Sequence, residues 1–395
     1  MNILILTRTG RALGLAHKLA IENNRVVVYS PQSSNIVNSG KGLYKLTDNL
    51  WKAVEECKFI ITDGGNWSDV YNRAAIYNKP IIGSNIHTDI LNNDYVKEYD
   101  LARRFKLPYP ETEIMEDSLG IFEKIMSWDK SRYFIKYDRT SFRCEYNEFA
   151  AWMMYKVPVG KAIILQQEVT GLKIDVQGWF DGMYWVEPFM LVGADSSSVG
   201  VSLMVRDNKS ILAETFKKLK PWLTSIDYHG PVTAKLIVNQ DEAFVIGLFV
   251  GFTYPDIYAV CEGLKIEIGY FLNGIAFSSG QSVDITRDII TAVDVVATSN
   301  DMFGAPILGL GKENIDHVFL NSVYKDEDSY LISGDTPNIY TVAARGRSIS
   351  EVSQRVSRTL KTVKFPNMRY EDRISNLYRN TFQKLNNWKY IDGRL

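Results

Sequence analysis

Side-chain chemistry needs a nucleophile, an acid–base pair or a set of metal ligands gathered in one place, and this 395-residue sequence offers few candidates. Its four histidines, His17, His87, His229 and His317, are scattered, with no Ser/His/Asp or His/Cys arrangement around them, so each reads as structural. Cys57, Cys144 and Cys261 are odd in number and widely spaced, which fits reduced thiols and leaves no CxxC metal clip. Arg139 and Arg143, in YDRTSFRCEY, carry charge that could hold an anion. Ser196 to Ser198 could offer hydroxyls to a small anion or be plain loop. Lys235 is a lone cation in the apolar run TAKLIV, and its commonest reading is a lysine snorkelling from a sheet edge. The stretch FVIGLFVGFTYPD, residues 244–256, has the rhythm of a strand that delivers catalytic groups to a cleft. Its only ionisable side chains, Tyr254 and Asp256, both lie at the far end.

The elements that must position these residues follow from periodicity. NILILTRTG is a buried-strand run ending in a glycine turn, and RALGLAHKLAIENN places Leu13, Ala16, Leu19 and Ala20 on one helical stripe. VVVYS, KFIITDGG and KPIIGS are further strands, alternating with the helices LWKAVEEC and SDVYNRAAIYN, the latter opened by a serine cap. That alternation predicts a parallel, doubly wound sheet over residues 1–91. A helical stretch, NDYVKEYDLARRFKLP, then leads into a second α/β region with strands RYFIKYD and KAIILQQEV. The hairpin KIDVQGWFDGMYWVEPFML follows, its type I′ turn at Asp181-Gly182 and its tip presenting aromatic residues. The strand and turn PVTAKLIVNQDEA precede the bare stretch. Residues 286–395 read as a mixed segment with strands DIITAVDVVATS and NIYTVAARG and a helix capped by Ser348 or Ser350.

Composition narrows the function classes. The chain is long enough for two or three packed units. Its 45 Lys+Arg balance 46 Asp+Glu, which leaves no nucleic-acid footprint. The N-terminus turns polar too quickly for a signal peptide, and no apolar run approaches the ~18 residues of a membrane span, so a cytoplasmic protein is expected.

Several strings resemble glycinamide ribonucleotide synthetase, the phosphoribosylamine–glycine ligase of the ATP-grasp superfamily. TGRALGLAHKLA is similar to its opening turn and helix, KEYDLARRFKLPYPETE to the helix before its nucleotide region, and RYFIKYD to its Ile-Lys-Ala-Asp strand. VIGLFVGFTYPD follows the register of its Ile-Glu-Phe-Asn-x-Arg-Phe-Gly-Asp-Pro-Glu segment, and YTVAARGRSISEVSQRVSRTLKTVKFPNMRYEDRIS resembles its C-terminal elements. The resemblance implies an α/β ATP-grasp fold with three parts. These are an N-terminal Rossmann-like domain (1–91), a two-part ATP-grasp region (92–285) and a small mixed C-terminal domain (286–395). It also implies ATP and magnesium as cofactors, with an acyl phosphate attacked by an amine.

The same resemblance exposes what has eroded. Lys136 takes the place of a phosphate-facing lysine, but the glycine-rich loop expected after it contains Arg139, Phe142 and Arg143 and no glycine. The earlier phosphate lysine falls near Tyr95, with Lys97 in step only if the register slips. Gln166, Gln167 and Glu168 stand in the segment that would meet an adenine edge. Gly247 and Phe249 replace the metal-binding glutamate and asparagine, Gly251 replaces the arginine that follows, and magnesium would lose both protein ligands there. Lys235 could stand in for the metal by its charge. The substrate-side motifs read DGGNWSD and SPQSSN. No metal site and no catalytic residue are expected. The expectation is a cleft filled by Phe142, Phe249 and Tyr254 that binds a small ligand or a protein partner without catalysis. The alternative is a divergent carboxylate–amine ligase whose phosphate site is rebuilt from Lys136, Arg139, Arg143 and Lys235.

Overall fold

The computed structural model describes residues 1–32, 34, 36–115, 132–137, 140–145, 162–192, 199–204, 211–280, 284–286, 288–299, 302–371 and 374–391. Arg139 and Ser196 to Ser198 lie outside the described residues, as does the side chain of Phe142.

The chain opens with β1 (Asn2–Leu6), α1 (Leu13–Ile21), β2 (Arg25–Tyr29), β3 (Lys45–Leu46), α2 (Leu50–Glu56), β4 (Phe59–Thr62), α3 (Ser68–Ile76) and β5 (Ile81–Gly83). These strands are parallel, in the order β3-β2-β1-β4-β5. β1 is apolar from Ile3 to Leu6 because both of its faces are covered there. Ile3 and Ile5 pack with Leu15, Leu19 and Phe271 on one side, and Leu4 and Leu6 pack with Val54, Trp67 and Val70 on the other. Ser68 is the first residue of α3 and not its cap, a position held by Trp67 without a side-chain bond.

Two helices follow, α4 (Ile86–Asn93) and α5 (Tyr95–Arg104). The sequence pattern marks α5 but not α4, whose IHTDILNN mixes polar residues into its stripe. Asp94 separates the two in extended conformation, and its carboxylate caps α5 by accepting from Val96 N at 2.8 Å. A four-stranded antiparallel sheet comes next, built from β6 (Thr112–Met115), β7 (Arg132–Tyr137), β8 (Thr140–Glu145) and β9 (Ile163–Gln167) in the order β6-β9-β7-β8.

The long hairpin of β10 (Leu172–Asp181) and β11 (Trp185–Val192) forms as the sequence predicts, but its turn differs. Gly182 has φ +93°, whereas Asp181 keeps a negative φ and organises the turn by its carboxylate, which accepts from Met183 N at 3.0 Å and from Tyr184 N. This is an Asx-type turn and not type I′. Trp179 and Phe180 are buried, while Met183 and Tyr184 are exposed at the tip.

β12 (Val199–Met204), α6 (Ile211–Ser225), β13 (His229–Val238), β14 (Ala243–Val250), α7 (Asp256–Gly263) and α8 (Ile268–Ala276) complete the central body. β13 lies antiparallel between β10 and β14, and one parallel pair, His229 with Ile82, joins it to β5. Leu212, Phe216, Leu219 and Leu223 of α6 pack in one core with Val232, Leu236 and Val245 of β13 and β14.

The last part holds β15 (Ile289–Ala297), β16 (Val318–Leu320), β17 (Val323–Asp326), β18 (Ser329–Ile332), β19 (Asn338–Gly346), α9 (Ile349–Thr362), β20 (Met368–Tyr370) and α10 (Ile374–Asn387). Ser348, not Ser350, caps α9 and accepts from Glu351 N at 3.2 Å. Among the described residues one sheet of fourteen strands runs from β3 to β16. No described helix is long and apolar enough to cross a membrane.

Candidate functional site

Alternate residues of a strand share a face, and the register of β10, β13 and β14 sets the face below the small sheet into rows. One row holds Gln177, Thr233 and Phe249, the next holds Asp175, Lys235 and Gly247, and a third holds Lys173 beside Ile237. The register of β14 slips by one residue between Lys235 and Leu236, leaving Ile246 as the extra residue of a bulge.

β14 is an edge strand among the described residues, and side chains satisfy the backbone groups on its free side. Asn92 of α4 takes both groups of Val250, donating to its carbonyl at 2.8 Å and accepting from its N–H at 3.0 Å. The Glu98 carboxylate of α5 accepts from Leu248 N at 3.1 Å and from the Tyr109 hydroxyl. Lys136 of β7 reaches across from the small sheet and donates from Nζ to the carbonyl of the bulged Ile246 at 2.7 Å. Lys136 thus ties the two sheets together.

A cavity of about 430 Å³ lies between the sheets, with Tyr95, Glu98, Phe134, Lys136, Gln166, Gln167, Lys235, Gly247 and Phe249 on its walls. Burial lowers the Lys136 pKa to about 8, against the pull of Glu98. Burial likewise raises Glu98 to about 6, opposed by the Tyr109 hydrogen bond and then by Lys136.

The candidate residues divide on this geometry. Lys136, Gln166, Gln167, Gly247 and Phe249 face one cavity, and Lys235 joins them. Gln166 is 1% exposed and spends its amide on Thr112 Oγ1 at 3.1 Å. Arg143 and Glu168 do not line the cavity; they pair with each other, Nε to Oε1 at 3.0 Å and Nη2 to Oε2 at 3.1 Å. Lys97 is exposed and off the cavity wall, which Tyr95 forms in its place.

Tyr254 does not fill the cleft as expected. It packs against Tyr258 at 5.5 Å, with the Arg11 guanidinium 5.6 Å from its ring centroid. The physical reason is that the chain turns at Pro255 into α7 and carries Tyr254 toward the C-terminal body. There Arg11 pairs with Asp294 at 3.0 Å, and Asp63 accepts from Thr7, Thr9 and Arg8 N. Asp256 is raised to about 7 by burial and then by the charge of Asp175.

The sequence reading missed Glu98, Asn92 and Lys173. Glu98 left a signal, because it falls on the buried stripe of α5 with Leu101 and Ala102, where an acid is out of place. Asn92 and Lys173 left none.

No protein-family model matches the sequence, and no curated protein matches it. Solved structures match by fold. Phosphoribosylamine–glycine ligase from Thermotoga maritima overlays with a TM-score of 0.72 at 14% identity, over 94% of this chain and 99% of that one. Biotin carboxylase from Campylobacter jejuni, in complex with β,γ-ATP, gives 0.67 at 11% identity over 98% and 96% of the two chains. N5-carboxyaminoimidazole ribonucleotide synthetase from Thermus thermophilus gives 0.62 at 11% identity over 92% and 99%. This chain has the fold of the ATP-grasp ligases.

The magnesium that an ATP-grasp ligase implies does not fit the residues present. Magnesium demands hard oxygen ligands in octahedral array, and Gly247 and Phe249 supply none on the face where ligands are expected. The row of Gly247 offers one carboxylate, Asp175, with the Lys235 ammonium on the strand between them. Glu98 Oε1 lies 3.9 Å from where a Cβ on Gly247 would stand, but Glu98 is 5% exposed and already holds Tyr109 and Leu248 N. Among the described residues no group of three acids, histidines or cysteines could hold a metal ion.

Proposed function

We propose that this chain is a catalytically degenerate ATP-grasp protein, related in form to phosphoribosylamine–glycine ligase, that acts by binding a small ligand or a protein partner. The observation that carries the reading is the cavity floor, where Gly247 and Phe249 stand at the positions expected to bring oxygen ligands. The engagement of Lys136 with Ile246 supports it, because that ammonium serves the fold before any phosphate. Cys57 and Cys261, buried and unpaired, agree with residence in the reducing cytoplasm. Calorimetric titration with ATP, with and without magnesium, tests the reading. No magnesium-dependent heat is expected, and micromolar affinity that requires magnesium overturns it.

The second reading is a divergent ATP-dependent carboxylate–amine ligase with a rebuilt phosphate site. It draws on Lys136, Lys173 and Lys235, three cations around one cavity. A screen for ADP release over carboxylates and amines decides between the two. Release that Lys235→Ala and Lys136→Ala both abolish, with folding intact by circular dichroism, establishes the ligase.

A further inference from the structure

The disagreement between the fold and its metal has a positive side. Resting on the degenerate reading above, we propose that the interlobe cavity binds an apolar anion without any divalent cation, with Lys235 supplying the charge that a metal would otherwise bring.

Three observations converge. The first is which charges are free. Of the cavity's acids, Asp94 is committed to capping α5 and Glu98 to Tyr109 and Leu248 N. Of its cations, Lys136 is committed to Ile246 O. Lys173 and Lys235 are exposed, line the cavity, and among the described residues have no ion pair or hydrogen bond. The unengaged charges on the wall are therefore positive.

The second is position. Lys235 is the register partner of Gly247, and a Cβ built on Gly247 would lie 3.5 Å from Lys235 Cδ. The missing side chain leaves the lysine stem uncovered toward the cavity. Asp175, on the other neighbouring strand, stands beside Lys235 in the same row.

The third is the nature of the walls. Phe134 from the small sheet and Ile237 and Phe249 from the large one line the cavity, with Tyr95 also on its wall. A volume of about 430 Å³ is within the range that holds a small molecule. Apolar residues beside a lysine that has no ion pair among the described residues favour a ligand with a flat or aliphatic body and one anionic end. A nucleoside triphosphate is the opposite case, because its clustered charges are ordinarily bridged by divalent metal, and among the described residues no group of three acids, histidines or cysteines could hold one.

The test uses the full chain in buffer containing EDTA, with anilinonaphthalene sulfonate as the apolar anion and N-phenylnaphthylamine as its uncharged counterpart. The anion is expected to bind one to one, about tenfold more tightly than the neutral compound, and without change when magnesium replaces EDTA. Lys235→Met should weaken the anion about tenfold and leave the neutral compound alone, while Lys235→Arg should retain the preference. Gly247→Leu should exclude both. Equal affinities, indifference to Lys235→Met, or binding that persists in Gly247→Leu would each overturn the proposal. Failure here is distinct from failure of the degenerate reading, which depends on magnesium-dependent ATP binding and not on these probes.

Discussion

Gly247 and Gly251 lie four residues apart, both where the resemblance to the ligase motif leads one to expect a polar side chain, yet the structure treats them differently. At Gly247 the backbone is ordinary extended strand, and an added Cβ would meet nothing closer than 3.5 Å. A side chain there would enter the cavity. At Gly251 the backbone has φ +145°, and an added Cβ would sit 2.9 Å from Ser84 Oγ. Here the chain leaves β14 for the Tyr-Pro turn, with Gly251 N donating to Pro231 O at 3.0 Å. The first glycine is a missing side chain and the second a backbone requirement. Under the proposed degenerate reading the two positions differ in depth: a side chain could be restored at Gly247, but at Gly251 only by rebuilding the turn.

Gly251→Arg should show the largest effect, a loss of roughly 4 kcal/mol from backbone strain and overpacking together, read by denaturant unfolding. Gly247→Glu should change stability by less than about 1 kcal/mol, and similar losses at both positions would break the comparison. Asn92→Ala should come next, at about 3 kcal/mol, since it strips partners from the N–H and the carbonyl of Val250 at once. If that loss is negligible, side chains are not what holds the free edge of β14.

Glu98→Gln sharpens the cavity end. Because burial raises the folded pKa to about 6 from 4.5, the stability that this group contributes is fully present below pH 4.5 and is lost as pH rises through 6. Wild type should therefore lose about 2 kcal/mol relative to Glu98→Gln across that window, and parallel pH profiles would contradict it. A small, magnesium-dependent effect is expected of Gly247→Glu combined with Phe249→Asn. At a fivefold excess of magnesium over its Kd this pair should gain about 1 kcal/mol of stability that EDTA removes. A flat response would mean that the cavity no longer has the shape of a metal site.

Much of the fold was legible because apolar periodicity reports burial directly. NILIL and FIIT announce strands covered on both faces, and ISEVSQRVSRTL shows the stripe of Ile349, Val352, Val356 and Leu360 that α9 buries. The hairpin was placed correctly, but its turn closes over Gly182-Met183, one residue after the expected Asp181-Gly182, and is not type I′, since dipeptide preference does not reveal when a carboxylate will take two backbone N–H groups itself. The candidate site was half legible: Gly247, Phe249, Lys136 and Gln166 were picked out, while Glu98 and Asn92 were not.

The sequence by itself determined which side chains are present, and so that Gly247 and Phe249 bring no oxygen to a metal. Only the tertiary structure decided what the remaining groups do. Glu98 meets Leu248 and Lys136 meets Ile246 across separations of 150 and 110 residues. Those bonds exist because an edge strand, bulged at Ile246, presents backbone groups that burial obliges some partner to satisfy. Such a demand arises when the sheets come together, and no local pattern in the chain records it.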